Sequence, residues 1–144
     1  MLALAALAVV LAACTSVPEE LRYRDPDLPP EKVAILETHS FVGFMNWVSI
    51  EHVDGKDIAR MTRWEQIVEL LPGKHEIGAE YVHNHGLLTT ADDHFRTSIP
   101  VTVEAGHRYR IRARKAGERV RIWLEDVENE AVIGVGTVVH ASGK

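Results

Sequence analysis

The chain has 144 residues, which by the usual scaling makes one domain and leaves no room for two. Its 46% hydrophobic and 26% charged content excludes wholesale disorder, and its single cysteine excludes an intramolecular disulfide framework or a multi-cysteine zinc site. A formal charge of −5 argues against a nucleic-acid partner, which would require a basic excess to neutralise phosphates.

The chain opens on MLALAALAVVLAAC, a run with no charge that ends in Leu11-Ala12-Ala13-Cys14. Thirteen apolar residues are too few for a membrane span, which needs about 20. An aliphatic residue, two small residues and a cysteine is the pattern a peptidase accepts before a thioether-linked diacylglycerol. The segment resembles bacterial lipoprotein signals, with 1–13 as the signal peptide and Cys14 as the lipid-attachment residue. The resemblance implies a membrane partner through the N-terminal lipid. With Thr15 and Ser16, and no Asp, after the cysteine, it also implies outer-membrane localisation on the periplasmic face. The apolar run lacks the preceding Lys or Arg of such signals, which points to a start several residues upstream.

Residues 14–31 are expected to be the lipidated cysteine and an extended tether. The stretch TSVPEELRYRDPDLPPE holds four of the six prolines and no hydrophobic period, so neither helix nor ladder persists. At about 3.1 Å per residue it holds a domain up to roughly 50 Å from a bilayer, with Leu21 and Tyr23 free to pack on the domain edge.

From residue 32 to 144 the dominant period is two, which predicts strands. Val33 to Leu36 is a short apolar run; Val48 and Ile50 alternate with Trp47, Ser49 and Glu51 up to an Asp54-Gly55 turn. The segment 57–71 is ambiguous: Ile58, Met61, Trp64, Val68 and Leu71 recur at helical spacing. A loop to Arg63 and a strand from Trp64 to Leu71 fits a strand–PGKH–strand hairpin better. Ile77, Ala79, Tyr81 and His83 then share one face, as do Phe95, Thr97, Ile99, Val101 and Val103. Tyr109, Ile111 and Ala113 alternate with arginines, Lys115 to Glu118 turns the chain, and Val120, Ile122 and Leu124 follow before a last strand from Val132 to Val139. Gly134-Val135-Gly136 in that strand lacks the third glycine of a dinucleotide loop and reads as a strand irregularity. Seven to eight short strands with turns every 8–12 residues predict an all-β chain, a single antiparallel β-sandwich of immunoglobulin-like or prealbumin-like kind.

The stretches Val53-Asp54-Gly55-Lys56, VELLPGKH over 68–75, and Val103 to Tyr109 as VEAGHRY resemble PEGA-type β-domains of small bacterial lipoproteins. The resemblance spans roughly 33–125 and departs from the pattern at Asn84 to His94. It consists of turn chemistry, so it implies a fold and no activity.

Three residue sets invite a chemical reading. His83 and His85, which flank Asn84, and His94, beside Asp92 and Asp93, are the metal candidates, although polar surface histidines explain them as well. His75 and His107 sit in turns, where hydrogen bonding to the backbone is the expected role. Arg108, Arg110, Arg112 and Arg114 line one face of one strand, in a stretch (107–121) with six Arg and one Lys against Glu118 alone. Those arginines either face an anionic glycan, lipid or envelope protein, or are neutralised across the sheet by acids such as Glu76, Glu80 or Glu125. No nucleophile stands beside a base, and no cofactor is expected. The chain therefore reads as a non-enzymatic cell-envelope lipoprotein whose β-domain binds or scaffolds another envelope component. A periplasmic metal-binding module and a hydrolase of envelope polymers are the alternatives.

Overall fold

Alternation along the chain decides which side of each strand is buried. Val120, Ile122 and Leu124 are fully buried while the alternating Arg119 and Arg121 are solvated, and Phe95, Ile99 and Val101 are likewise buried against exposed Arg96 and Ser98. The computed structural model describes residues 22–23, 28–39, 46–58, 65–86 and 92–139. The strands among them are β1 (Arg22–Tyr23), β2 (Ala34–His39), β3 (Asn46–Val53), β4 (Lys56–Asp57), β5 (Glu65–Leu70), β6 (Gly73–Asn84), β7 (Asp92–Val103), β8 (Arg108–Ala116), β9 (Arg119–Asp126) and β10 (Val132–Val139). A single 3₁₀ turn, Pro30–Lys32, leads into β2. Sheet A has the order β1-β5-β2-β8-β9-β10 and sheet B the order β4-β3-β6-β7. The two form an open, sandwich-like all-β arrangement. Leu36, Val68, Leu70, Tyr109, Ile111, Ile122 and Leu124 of sheet A meet Val48, Ile50, Ile77, Tyr81, Phe95 and Ile99 of sheet B in one continuous core.

Asp54 and Gly55 have φ of 50° and 77°, so the β3–β4 connection is the two-residue turn that the Asp-Gly pair favours. A bulge between Ile50 and His52 lets Ile50 and Val53, three residues apart, both point inward.

Two expectations are corrected. The sandwich is not wholly antiparallel, because β2 pairs with β8 in parallel and β1 with β5 in parallel. β5 and β6 form no hairpin around Pro72-Gly73: β5 pairs with β2 in sheet A, and β6 pairs with β3 and β7 in sheet B, so the turn carries the chain from one sheet to the other. Of the two readings of 57–71, the strand toward Leu71 holds, as β5 over Glu65–Leu70, and the helix does not; residues 59–64 lie outside the described residues. Within the expected tether, Arg22–Tyr23 is paired to Glu69–Leu70 on the edge of sheet A. Cys14 and the rest of residues 1–21 lie outside the described residues.

Candidate functional site

The period of β8 turns Tyr109, Ile111 and Ala113 into the core and Arg108, Arg110, Arg112 and Arg114 outward. Cross-strand register then decides what each arginine meets, and the answer changes along the strand. Glu37 of β2 is directly opposite Arg110, and its Oε1 accepts bonds from Arg110 Nε and Nη2 at 3.1 and 2.6 Å. Its Oε2 lies 3.5 Å from Arg108 Nη2. Two residues further on, Arg112 Nε donates to Glu125 Oε1 at 2.7 Å, and Trp123 Nε1 donates to Glu125 Oε2 at 3.2 Å. Partial burial would raise the Glu125 carboxyl, but the bonds from Arg112 and Trp123 outweigh it and hold the group below its usual range. Arg114, in contrast, stands directly opposite Arg121 of β9, and the Arg121 guanidinium lies 5.4 Å above the Trp123 ring. Among the described residues no acid pairs with Arg114, Arg119 or Arg121. Three of the four arginines singled out in the sequence thus have a carboxylate within reach, Arg108 and Arg110 sharing one. Of the acids expected to do this, only Glu125 does, since Glu76 and Glu80 belong to sheet B.

Glu37 is the partner that sequence reasoning missed. It is the single acid in AILETH and carried no sign of pairing with a strand 73 residues away. Arg119 and Arg121 extend the arginine face onto β9, and their alternation with Val120 and Ile122 was the available signal.

The three candidate metal-binding histidines do not converge. His83 and His85 meet edge to face with ring centroids 5.0 Å apart; His83 Nδ1 is 2.8 Å from Asn46 Oδ1, and His85 Nε2 is 2.9 Å from Asp93 Oδ2. Burial, with Lys115 and His85 nearby, lowers the pKa of His83. His94 stands in register with Val82, so it projects from the opposite face of sheet B, where its Nδ1 is 2.8 Å from Glu80 Oε1. Arg96 Nη2 reaches the same fully buried carboxylate.

Both turn histidines bind across turns. His75 bridges Asp54 Oδ2 and the Leu71 carbonyl, each at 2.7 Å, beside an open groove lined by Asp54, Lys74, Val101 and Ile133. His107 Nδ1 is 2.6 Å from Asp126 Oδ2, and Asp126 Oδ1 accepts the Glu128 amide at 2.8 Å. His107, Asp126 and Glu128 are the three-member imidazole–carboxylate set that comes within 4.8 Å among the described residues. The bond to Asp126 raises the His107 pKa. Burial would raise Asp126, but the His107 bond and the Glu128 amide prevail and lower it. With both Asp126 oxygens occupied, this set clasps the β7–β8 turn to the β9–β10 turn. Comparison with protein-family models, curated proteins and solved structures finds no match.

Proposed function

We propose that the chain is a non-enzymatic, lipid-anchored β-sandwich of the cell envelope that binds an anionic envelope component through the outward face of sheet A. The observation that supports this most is the contrast along one strand. Arg108, Arg110 and Arg112 have carboxylates within reach, whereas Arg114 is set against Arg121. Like charges directly opposite on a sheet are destabilising, by an amount similar to what an opposite pair contributes, about 0.2–1 kcal/mol. An anion bound between the two guanidiniums offsets that cost, and planar forks suit carboxylate or phosphate. Cys14 in its lipobox supplies the anchor; two or three acyl chains at about 0.8 kcal/mol per buried methylene make it stable where one would be marginal. An immunoglobulin-like or prealbumin-like variant of the sandwich, close to the PEGA-type modules, is the form we favour for the fold.

The anchor is tested by fractionation. Cys14→Ala is expected to release the protein from membranes with its folded domain intact; a Cys14→Ala protein that still pellets and resists salt extraction sinks the anchoring claim. The face is tested by titrating the Arg114→Glu, Arg121→Glu double variant with a soluble polyanion, where affinity and its salt dependence should both fall.

A further inference from the structure

Two turns at one end of sheet A bring an imidazole and three carboxylates together. The Val127 amide donates to the Arg108 carbonyl at 2.9 Å, one step past the Tyr109–Asp126 pair of the β8–β9 ladder, and so fixes the β9–β10 turn beside the β7–β8 turn. His107 comes from one turn, Asp126 and Glu128 from the other, and a ligand atom of each lies within 4.8 Å of the other two. The surroundings of each group prepare it for a metal. Asp126 is buried, and the Glu128 amide holds its Oδ1 at 2.8 Å, which leaves Oδ2 directed at His107 Nδ1. The His107 ring lies against that of Tyr109, with 18° between the planes, and its Nε2 is 3.7 Å from Glu104 Oε2. A carboxylate behind the far nitrogen is the arrangement that orients metal-ligating histidines and raises their basicity. The Glu128 carboxylate accepts no hydrogen bond among the described residues, so none has to break before it turns inward.

We infer that His107 Nδ1, Asp126 Oδ2 and the Glu128 carboxylate form a zinc-class divalent-cation site that ties the two turns together, with Glu104 orienting the imidazole. One nitrogen and two carboxylate oxygens suit zinc, whereas calcium and magnesium prefer oxygen alone. Four-coordinate bonds of about 2.0–2.2 Å set neighbouring ligand atoms about 3.3 Å apart. His107 Nδ1 and Asp126 Oδ2 are 2.6 Å apart around a proton, so they open by less than about 1 Å to admit the metal in its place. Glu128, which lies within 4.8 Å of both, closes by no more than about 1.5 Å. The cation also offsets a local surplus of carboxylate, to which exposed Glu104 and Glu130 add. Three protein ligands leave one position to water, and Glu128 is exposed, which makes the site one of exchange and not a permanent part of the core. His83 and His85 differ, since each ring is spent on its own partner, Asn46 or Asp93. Nothing in the site depends on the arginine face or on the anchor.

The test is a zinc titration of the full chain in a nonionic detergent, stripped with a chelator and carrying Cys14→Ala throughout, so that its one thiol takes no metal. One equivalent of zinc is expected to bind by calorimetry and to raise the unfolding midpoint, as a ligand of the folded state does. Glu128→Gln should weaken binding at least about tenfold and leave the midpoint without zinc unchanged, because its carboxylate is no part of the clasp. That variant keeps the fold intact where His107→Gln, expected to abolish uptake, also breaks the clasp. Cobalt in place of zinc should give a visible spectrum that His107→Gln removes. Failure of the parent chain to take up zinc, or full uptake by both variants, overturns the inference. Uptake lost in His85→Gln and kept in Glu128→Gln moves the metal to the His83–His85 pair and overturns it too. So does calcium binding as tight as zinc and indifferent to His107→Gln, which would make the cluster an oxygen site without the imidazole.

Discussion

Gln66 makes bonds at the scale of single residues that no neighbouring strand provides. Its side-chain amide accepts from the Ile50 amide at 2.8 Å and donates to the Ile50 carbonyl at 3.1 Å, so one side chain of sheet A acts as a missing strand along β3 of sheet B. Gln66→Leu keeps the volume but strands two buried backbone groups, each costing about 1–3 kcal/mol; a urea titration should show a loss of roughly 2–4 kcal/mol. Glu37, almost wholly buried, depends in the same way on Arg110. Arg110→Glu takes away its closest cation and sets a second carboxylate directly opposite it, and about 3 kcal/mol should be lost, as when one partner of a buried pair is removed. The His107–Asp126 clasp sets a pH signature. Because the His107 pKa is raised in the folded state, its contribution is complete below the unfolded value of about 6.5 and is lost as pH climbs through the folded value. Asp126, lowered, contributes above about pH 3.9 and fails as pH falls through its folded value. The urea midpoint of the native protein should therefore fall between pH 6 and pH 9, and His107→Gln should flatten that fall. An equal fall in both proteins would assign it elsewhere.

Strands were legible as elements where local chemistry decides them, and their partners were not. Asp54-Gly55 announces a two-residue reversal and produces one. Pro72-Gly73 announces a turn equally well, yet local sequence says nothing about whether the next strand stays in the same sheet, and here it leaves. The same limit hid half the candidate site: period two made the arginine stripe readable, but Glu37 meets it only through the parallel β2–β8 pairing. Gly134 and Gly136 are more than an irregularity, for they allow β10 to close on β7. A Cβ on Gly134 would stand 2.5 Å from Val101 Cγ1 and 2.8 Å from Ile99 Cγ2, and one on Gly136 would stand 2.6 Å from Thr97 Cγ2. Gly136→Val should therefore cost about 1–3 kcal/mol as overpacking, measurable as a lowered denaturation midpoint. A neutral result would mean that β10 is not held against β7 in solution.

Across the whole molecule, the separation of paired from unpaired arginines predicts two different responses to charge reversal. Reversing Arg110 and Arg112 attacks the fold, because Glu37 and Glu125 depend on them; reversing Arg114 and Arg121 exchanges one exposed like-charge contact for another and should leave the denaturation midpoint about unchanged. A matched loss of stability from both double variants would erase the distinction on which the binding face rests. The parallel β2–β8 pairing has a mechanical consequence. A pull through the N-terminal segment first peels the two-residue β1 and then arrives at Ala34, the start of a strand hydrogen-bonded on both flanks, to β5 and to β8. If the opposing load acts at the Arg114–Arg121 end, the force runs lengthwise along β2 and β8, and their ladder is sheared with its bonds strained together instead of unzipped one by one. Resistance to such a load is a matter of unfolding rate, so a chain pulled along that axis should yield more slowly than one whose strands are unzipped.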